Sequence, residues 1–355
     1  MYGILDRYVG KNIILSVLLV AVCLTLFAGL VNLIDSLRLI GRGEVNFSFL
    51  VRYIILKLPS LLVTFFPVSI LIGGVVGLGA MARNSEIVIL QSIGLSKFNI
   101  GISCVKSIIP LILIVMVIAE TVAPRLDKRA EEEYYKKSAA FSGLALTSKG
   151  VWFKENNLFL GICALLNGRT VLGVAKYEYD GTKLISLAKA RSGVYVKDHW
   201  LMEDVHEQLI EDDRIVYRHH VTQEWPLSVN IKRIEVLNDM SDNLSTRQLY
   251  DYIKYIEKNN VDSSNYRLAL FGKIFSPLVM LVMLLLALST IFGPLRQINM
   301  GARILAGITL GFGYYVLNQI VAPFSLVYGI PPILGASLST IVFALLAVYL
   351  LMKKS

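Results

Sequence analysis

The chain has 355 residues, of which 55% are hydrophobic and 17% charged, well short of the roughly 25% charged residues of a soluble domain. Charge-poor runs alternate with one charge-rich central stretch, which excludes a single water-soluble domain and points to a membrane protein with an extramembrane insertion. The formal net charge is +9, and much of the basic excess flanks apolar runs, so anionic lipid is a better partner for it than nucleic acid.

A spanning helix needs about 20 apolar residues. MYGILDRYVGK leads into Ile13–Ile34, a run too long for a signal-peptide core and without a small-residue cleavage site, so it is expected to be a retained first helix. The second run, Ile54–Met81, carries Pro59 and Pro67, which predict a kink, and ends in GGVVGLGA. Gly73 and Gly77 there, like Gly307 and Gly311 further on, are four apart; that spacing suits close helix packing or a face that meets a partner. The third run is Ile100–Val122, the fourth Leu268–Phe292, the fifth Ile304–Val321 and the sixth Pro332–Met352.

Between the second and third runs lies RNSEIVILQSIGLSKFN, Arg83 to Asn99. Ser85 suits an N-cap, Glu86 stands in the first turn where the helix dipole favours an acid, Ile87, Val88, Leu90 and Ile93 are apolar, and Gly94 can end the helix. This short amphipathic helix either lies on the membrane surface or plugs into a groove on another protein.

Between the third and fourth runs lies Pro124–Tyr266. RLDKRAEEEYYKK is expected to extend the third helix. Strand-like alternation follows at Val151–Phe153, Leu158–Ile162, Val171–Tyr179, Lys183–Lys189, Ser192–Val196, Trp200–Val205, Ile215–Thr222 and Ile231–Leu237, with Asn156-Asn157 and Asp180-Gly181 as turn signals. Short strands at this rhythm suggest a sandwich or jelly roll. Leu249–Glu257 reads as a short helix capped by Ser245 or Thr246. The fold class is therefore an α-helical membrane protein of six transmembrane helices with an inserted all-β, jelly-roll-like domain. The expected boundaries are 1–123 for helices one to three, 124–266 for the β domain and 267–355 for helices four to six.

An even helix count puts both termini on one side and the insertion on the other. Lys and Arg nearly balance across the two sides, so charge does not orient the chain; the long β domain favours the outside, because such domains translocate largely regardless of charge. Termini inside then give the outer surface a basic collar that includes Arg38, Arg42, Arg52, Lys57, Arg125, Arg129 and Lys273. Snorkelling explains any one of these side chains; an anionic head-group site explains the set, since Arg pairs phosphate in bidentate fashion.

The sequence holds no P-loop, no GxSxG elbow and no HExxH. The three cysteines, Cys23, Cys104 and Cys163, and the four histidines, His199, His206, His219 and His220, lack metal-ligand spacing, so no metal site is expected. Glu120, an acid near a helix end, fits an ion pair with Arg125, a solvated terminus or a proton relay.

LDRYVGK at Leu5–Lys11, RNSEIVILQSIGLSKF at Arg83–Phe98, ETVAP at Glu120–Pro124, FGPLR at Phe292–Arg296 and VYGIPP at Val327–Pro332, with the three-plus-domain-plus-three layout, resemble the lipopolysaccharide export permeases, the YjgP/YjgQ family, over nearly the whole chain. The first and last of these favour the branch that pairs with LptF. The resemblance implies a permease half of an ABC transporter in the inner membrane of a Gram-negative bacterium. It implies a heterodimer with LptF, a dimer of the cytoplasmic ATPase LptB that binds ATP and Mg, and a single-span partner, LptC. No cofactor is implied in this chain. Lipopolysaccharide would leave the outer leaflet through a lateral gate and pass along periplasmic β-jelly-roll domains. Arg83, Ser85, Glu86, Leu90 and Gly94 would belong to the coupling helix at 85–94. Arg38, Arg42, Arg52, Lys57, Arg125 and Arg129 would face lipid phosphates, and Leu26, Leu30, Leu310 and Tyr314 would contact acyl chains. Three rivals remain open: a mechanotransmitting permease for another lipid or lipoprotein cargo, an ion-driven secondary transporter, which would need midplane acids or broken helices, and an intramembrane enzyme.

Overall fold

In a computed structural model of the full chain, the described residues are 4–352 apart from 42–43, 140–150, 156, 167–169, 182, 197–198, 212–213, 226–243, 259–261 and 293–298. Arg42, most of FGPLR and the strand expected at Ile231–Leu237 lie outside them. In chain order come α1 (Ile4–Ser36), a 3₁₀ turn (Leu37–Leu39), α2 (Phe47–Arg83), α3 (Glu86–Ser92), α4 (Lys97–Val117), a π-helical turn (Ile118–Val122) and α5 (Ala123–Ala139). Six strands follow, β1 (Val151–Glu155), β2 (Leu158–Leu166), β3 (Thr170–Asp180), β4 (Lys183–Val196), β5 (His199–Glu211) and β6 (Arg214–Trp225), and then α6 (Thr246–Lys258), α7 (Ser264–Phe292), α8 (Met300–Val327) and α9 (Pro332–Met352). Among the described residues six helical stretches are long and apolar enough to cross a membrane, in the expected order.

The chain divides into two compact units: one of Met1–Val31, Lys57–Leu126 and Leu244–Ser355, the other of Asn32–Leu56 and Asp127–Asn243. The far ends of α1, α2 and α5 thus group with the sheet.

The first unit is held by a core from α1, α2, α3, α4, α7 and α9, including Ile13, Val17, Ile70, Leu78, Ile108, Met283, Leu286 and Phe343. Small residues let its helices touch. A Cβ on Gly73 would stand 2.5 Å from the Val17 Cα, and one on Gly77 2.9 Å from Ser16 Oγ. A Cβ on Gly311 would come 3.2 Å from Val68 Cγ1, and one on Gly307 3.4 Å from Val75 Cγ2. Both glycine pairs therefore serve packing within this chain, α2 on α1 and α8 on α2.

In the second unit the six strands form one antiparallel sheet in sequential order β1 to β6, a meander. Its buried face gathers Leu160, Ile162, Val171, Val174, Ala188, Trp200, Met202, Val205 and Trp225. A flat sheet of this order would hold β3 and β6 about 14 Å apart, three strand spacings. Yet the Lys176 ammonium of β3 lies 5.4 Å from the Trp225 ring centroid of β6, so the sheet curls over its own apolar face. That is how Trp200 becomes 1% exposed and Trp225 2%.

The curl has a local cause. Gly173, Arg191, Asp204 and Val221 stand in one row across β3 to β6, each flanked by paired residues while itself outside the ladder. Gly173 (φ +59°) and Asp204 (φ +53°) are left-handed. The buried positions shift by one residue across the row: Ala188 and Ala190 are followed by Gly193, Trp200 and Met202 by Val205, and Val171 by Val174. A shift of this kind bends a sheet as a bulge does. It also corrects the expected strands. Lys183–Lys189 and Ser192–Val196 are one strand, and β5 runs on past Val205 to Glu211; the break in alternation that resembles two strand ends is the row passing through.

Candidate functional site

The segment after α2 is built as a braced knob. Asn84 and Ser85 turn the chain, and Ser85 adopts φ +61°, a left-handed conformation. Against expectation its hydroxyl makes no capping bond, because an N-cap needs an extended backbone to aim its side chain at the first turn. Asn84 Nδ2 instead donates to Glu86 Oε1 at 3.4 Å. Glu86 Oε2 is buried without a hydrogen-bond partner among the described residues. Gly94 (φ +96°) ends the helix as its sequence predicts. Its N–H donates to Gln91 O at 3.1 Å, and the Leu95 N–H to Leu90 O at 3.2 Å, the paired bonds of a Schellman cap. Ser96 caps the next helix, accepting from the Asn99 N–H at 3.1 Å. Ile87 and Leu90 are buried in the core of the first unit, while Val88, Ile89 and Ile93 are exposed. Arg83, at the end of α2, is exposed, as are Asn84 and Ser85 beside it.

The expected basic collar is divided between the units. In the second, the ends of α1 and α2 meet α5 around Val45, Phe49 and Leu50, with Leu33, Leu39, Tyr53 and Tyr134 against them. The Lys137 ammonium lies 5.0 Å from the Phe49 ring centroid, and the Glu44 N–H donates to Lys137 O at 3.2 Å. Arg52 donates to Glu133 Oε1 at 3.0 Å; with the Arg52 side chain 69% exposed, this is an exchangeable surface pair. Arg38 and Arg129 are exposed there too. In the first unit Arg125 is exposed and Lys57 half-buried, and the Lys273 ammonium donates to the Leu244 carbonyl.

Leu26 and Leu30 are exposed on α1. Leu310 and Tyr314 instead pack against the helical core: the Tyr314 ring meets Phe343 edge-on at 5.4 Å, and its hydroxyl lies 3.5 Å from Thr340 Oγ1. The exposed apolar residues of α8 include Leu305, Ile308, Phe312 and Tyr315, on the side of the helix turned away from Leu310 and Tyr314.

Glu120 takes a part the sequence does not show. It lies in the π-helical turn between α4 and α5. Its carboxylate accepts the Thr246 N–H at 2.8 Å and the Thr246 hydroxyl, so it caps α6 in place of the expected pair with Arg125 or a solvated end. Ser245 completes that end: its hydroxyl accepts the Gln248 N–H at 3.3 Å, and Gln248 Oε1 accepts the Ser245 N–H at 3.0 Å, a reciprocal capping box. A carboxylate 126 residues away leaves no signal in local sequence.

The sheet gathers three side chains that sequence spacing keeps apart. His206 pairs directly with His219 across β5 and β6. Asp204 Oδ1 lies 2.8 Å from His219 Nε2 and 3.3 Å from His206 Nε2. The hydrogen bond from His219, with the nearby imidazoles and Arg191, holds the Asp204 carboxyl below the usual carboxylate range. A signal does exist. The ladder runs from Glu211 opposite Arg214 back to His206 opposite His219 without a slip, so reading Asp212-Asp213 as a two-residue turn pairs the histidines.

Six spanning helices, a braced knob after the second and a curled sheet after the third define a polytopic membrane protein with an inserted β domain. The family described as lipopolysaccharide export system permease LptF/LptG matches residues 7–353. The chain is 35% identical over 359 residues to the lipopolysaccharide export system permease protein LptG of Escherichia coli K12, covering 100% of this chain and 99% of that one. It is 33% identical over 357 residues to the protein of the same name from Haemophilus influenzae, with the same coverage. The chain belongs to the LptF/LptG permease family.

Proposed function

We propose that this chain is the LptG-type permease subunit of an ABC transporter that extracts lipopolysaccharide from the outer leaflet of the inner membrane and hands it to a periplasmic β-jelly-roll bridge. Its full-length relatives are named for lipopolysaccharide export, and the braced knob at α3 carries the mechanical part of the reading. Ile87 and Leu90 tie α3 to the transmembrane core, Val88, Ile89 and Ile93 offer an apolar face, and Glu86 Oε2 is a buried acid oxygen awaiting a donor. A motor subunit that fills this face and donates to Glu86 can push the whole helical core, because the knob has little freedom of its own.

In this reading the motor is an LptB dimer holding ATP and Mg, the second permease half is LptF, and LptC joins at the gate. Both termini and α3 are cytoplasmic and the sheet is periplasmic. Removing several acyl chains from a bilayer costs about 0.8 kcal/mol per CH₂, so extraction needs that external engine. Arg38, Arg42, Arg52, Lys57, Arg125 and Arg129 supply phosphate donors at the outer surface. Leu26 and Leu30, exposed on α1, meet acyl chains, while Leu310 and Tyr314 pack in the helical core.

The test is reconstitution with LptF, LptB and LptC. ATP-dependent lipopolysaccharide release should fail in Glu86→Lys while the variant still folds and inserts. Replacing Arg38, Arg42 and Lys57 together by Ala should weaken photo-crosslinking to lipopolysaccharide. Normal ATP-driven release by Glu86→Lys, or cargo movement by the isolated chain on an ion gradient, overturns the proposal; normal coupling with unchanged crosslinking points to another cargo.

A further inference from the structure

We propose that Asp204, His206 and His219 form a binding site for a divalent first-row transition ion of the zinc class, clamping β5 to β6 on the exterior of the inserted sheet. The three side chains come from an i, i+2 pair on β5 and the residue facing its second member on β6, so they share one face. Each offers one ligand atom, and the three atoms lie within 4.8 Å of one another. In a tetrahedral site with bonds of about 2.0–2.2 Å, two ligand atoms stand about 3.4 Å apart. The Asp204 Oδ1 to Nε2 distances of 2.8 and 3.3 Å lie just below that value, so small side-chain rotations close the set around one ion.

Two features distinguish this cluster from ordinary surface ion pairs. Both imidazoles aim Nε2 at the same carboxylate oxygen, with ring centroids 4.5 Å apart and planes 32° from each other. A carboxylate that served only as a counter-ion would gain little from drawing two like-charged rings into contact, whereas a dication uses both neutral rings and the carboxylate at once. Asp204 also holds φ +53° within a strand, in the row where the sheet bends, and that backbone turns its carboxylate toward the two rings. All three residues are at least partly exposed, which gives an ion free entry and leaves its fourth position to water. The other two histidines are placed differently. His199 lies 3.6 Å from Glu224 and His220 3.8 Å from Glu207, and among the described residues neither joins a three-ligand cluster.

The experiment uses the full chain, purified in detergent with a histidine-free affinity tag and stripped of metal, titrated with Zn(II) and with Co(II). One ion should bind per chain, with the intense visible absorption of tetrahedral Co(II). His206→Ala, His219→Ala and Asp204→Gly should each weaken binding by about 10-fold or more; glycine accepts the left-handed backbone, so Asp204→Gly removes the ligand without misfit. His199→Ala and His220→Ala should leave binding unchanged. In the unmodified protein, Zn(II) should slow diethylpyrocarbonate labelling of His206 and His219 but not of His199 and His220, a readout that no folding defect can imitate. Absence of stoichiometric binding, equal loss in His199→Ala, or uniform protection of all four histidines overturns the proposal.

Discussion

The helical unit and the inserted sheet both depend on close backbone approach, but they reach it by opposite means. In the helices, glycines remove side chains where two backbones meet, and Gly73 lies against the Val17 backbone itself. In the sheet, approach comes from curvature: a row of displaced residues folds the strands over Trp200 and Trp225. The first device tolerates no added atom, and the second tolerates no lost one.

The largest expected effect tests the first half of that contrast. A Cβ at Gly73 would meet the Cα and N of Val17 at 2.5 and 2.8 Å, atoms that cannot rotate away. Gly73→Leu should separate α1 from α2 and leave no folded protein on size exclusion, beyond the usual cost of about 1–3 kcal/mol for an overfilled core. Gly272, in α7, has nothing within 4 Å of its would-be Cβ. Gly272→Ala should be neutral or should raise the apparent Tm slightly, since Ala favours a helix by about 0.8–1 kcal/mol over Gly. Equal behaviour of the two variants would break the argument that packing sets glycine positions here.

Trp200→Ala tests the second half and should cost about 3–5 kcal/mol. The loss should stay in the sheet. Proteases should cut within β3 to β6 while the six spanning helices remain inserted and resistant. Loss of membrane insertion would show that the two units do not fold separately.

The same contrast explains what is legible in the sequence. Six spanning helices can be counted because each is a long apolar run, and Gly94 is visible as a helix stop because a left-handed position at a helix end has few other solutions. Alternation finds the strands but cuts them in the wrong places: a parity shift at Arg191 and Asp204 looks the same as a strand end when only alternation is read. Site residues fare according to how local their chemistry is. Glu86 and Leu90 stand on α3 as their spacing predicts, whereas Ser85 fails as a cap because its own backbone is turned. The resemblance names Tyr314 among the acyl contacts, and the packing of Tyr314 on Phe343 is set by the rotation of α8 about its axis, which the sequence does not carry. The Glu120 cap and the His206–His219 pair are set by tertiary approach and strand register, which residue spacing does not carry.

Glu120→Ala ranks next. It removes the acceptor of the Thr246 N–H and hydroxyl and leaves a helix-end donor without its partner, at a cost of about 1–3 kcal/mol. Amide exchange in α6 should accelerate by about 10-fold, since 1.4 kcal/mol corresponds to that factor. Glu120→Gln should recover part of the loss, because the amide oxygen still accepts while the charge is gone. A proton-relay role predicts the opposite pattern: normal α6 exchange in both variants and a transport defect in both.

The smallest effect separates two acceptors at one helix end. Ser245→Ala deletes the hydroxyl that accepts the Gln248 N–H, while the Gln248 side chain can still accept from the backbone N–H at position 245, so about 1 kcal/mol should be lost. Glu120 and Ser245 satisfy different N–H groups, and independent groups add to within about 0.5 kcal/mol. The double variant should therefore show amide exchange in α6 accelerated by nearly the product of the two single effects. A combined effect no larger than that of Glu120→Ala alone would mean that the capping box forms only after Glu120 has fixed the start of the helix. The π-helical turn after α4 would then order α6, and Ser245 would merely follow it.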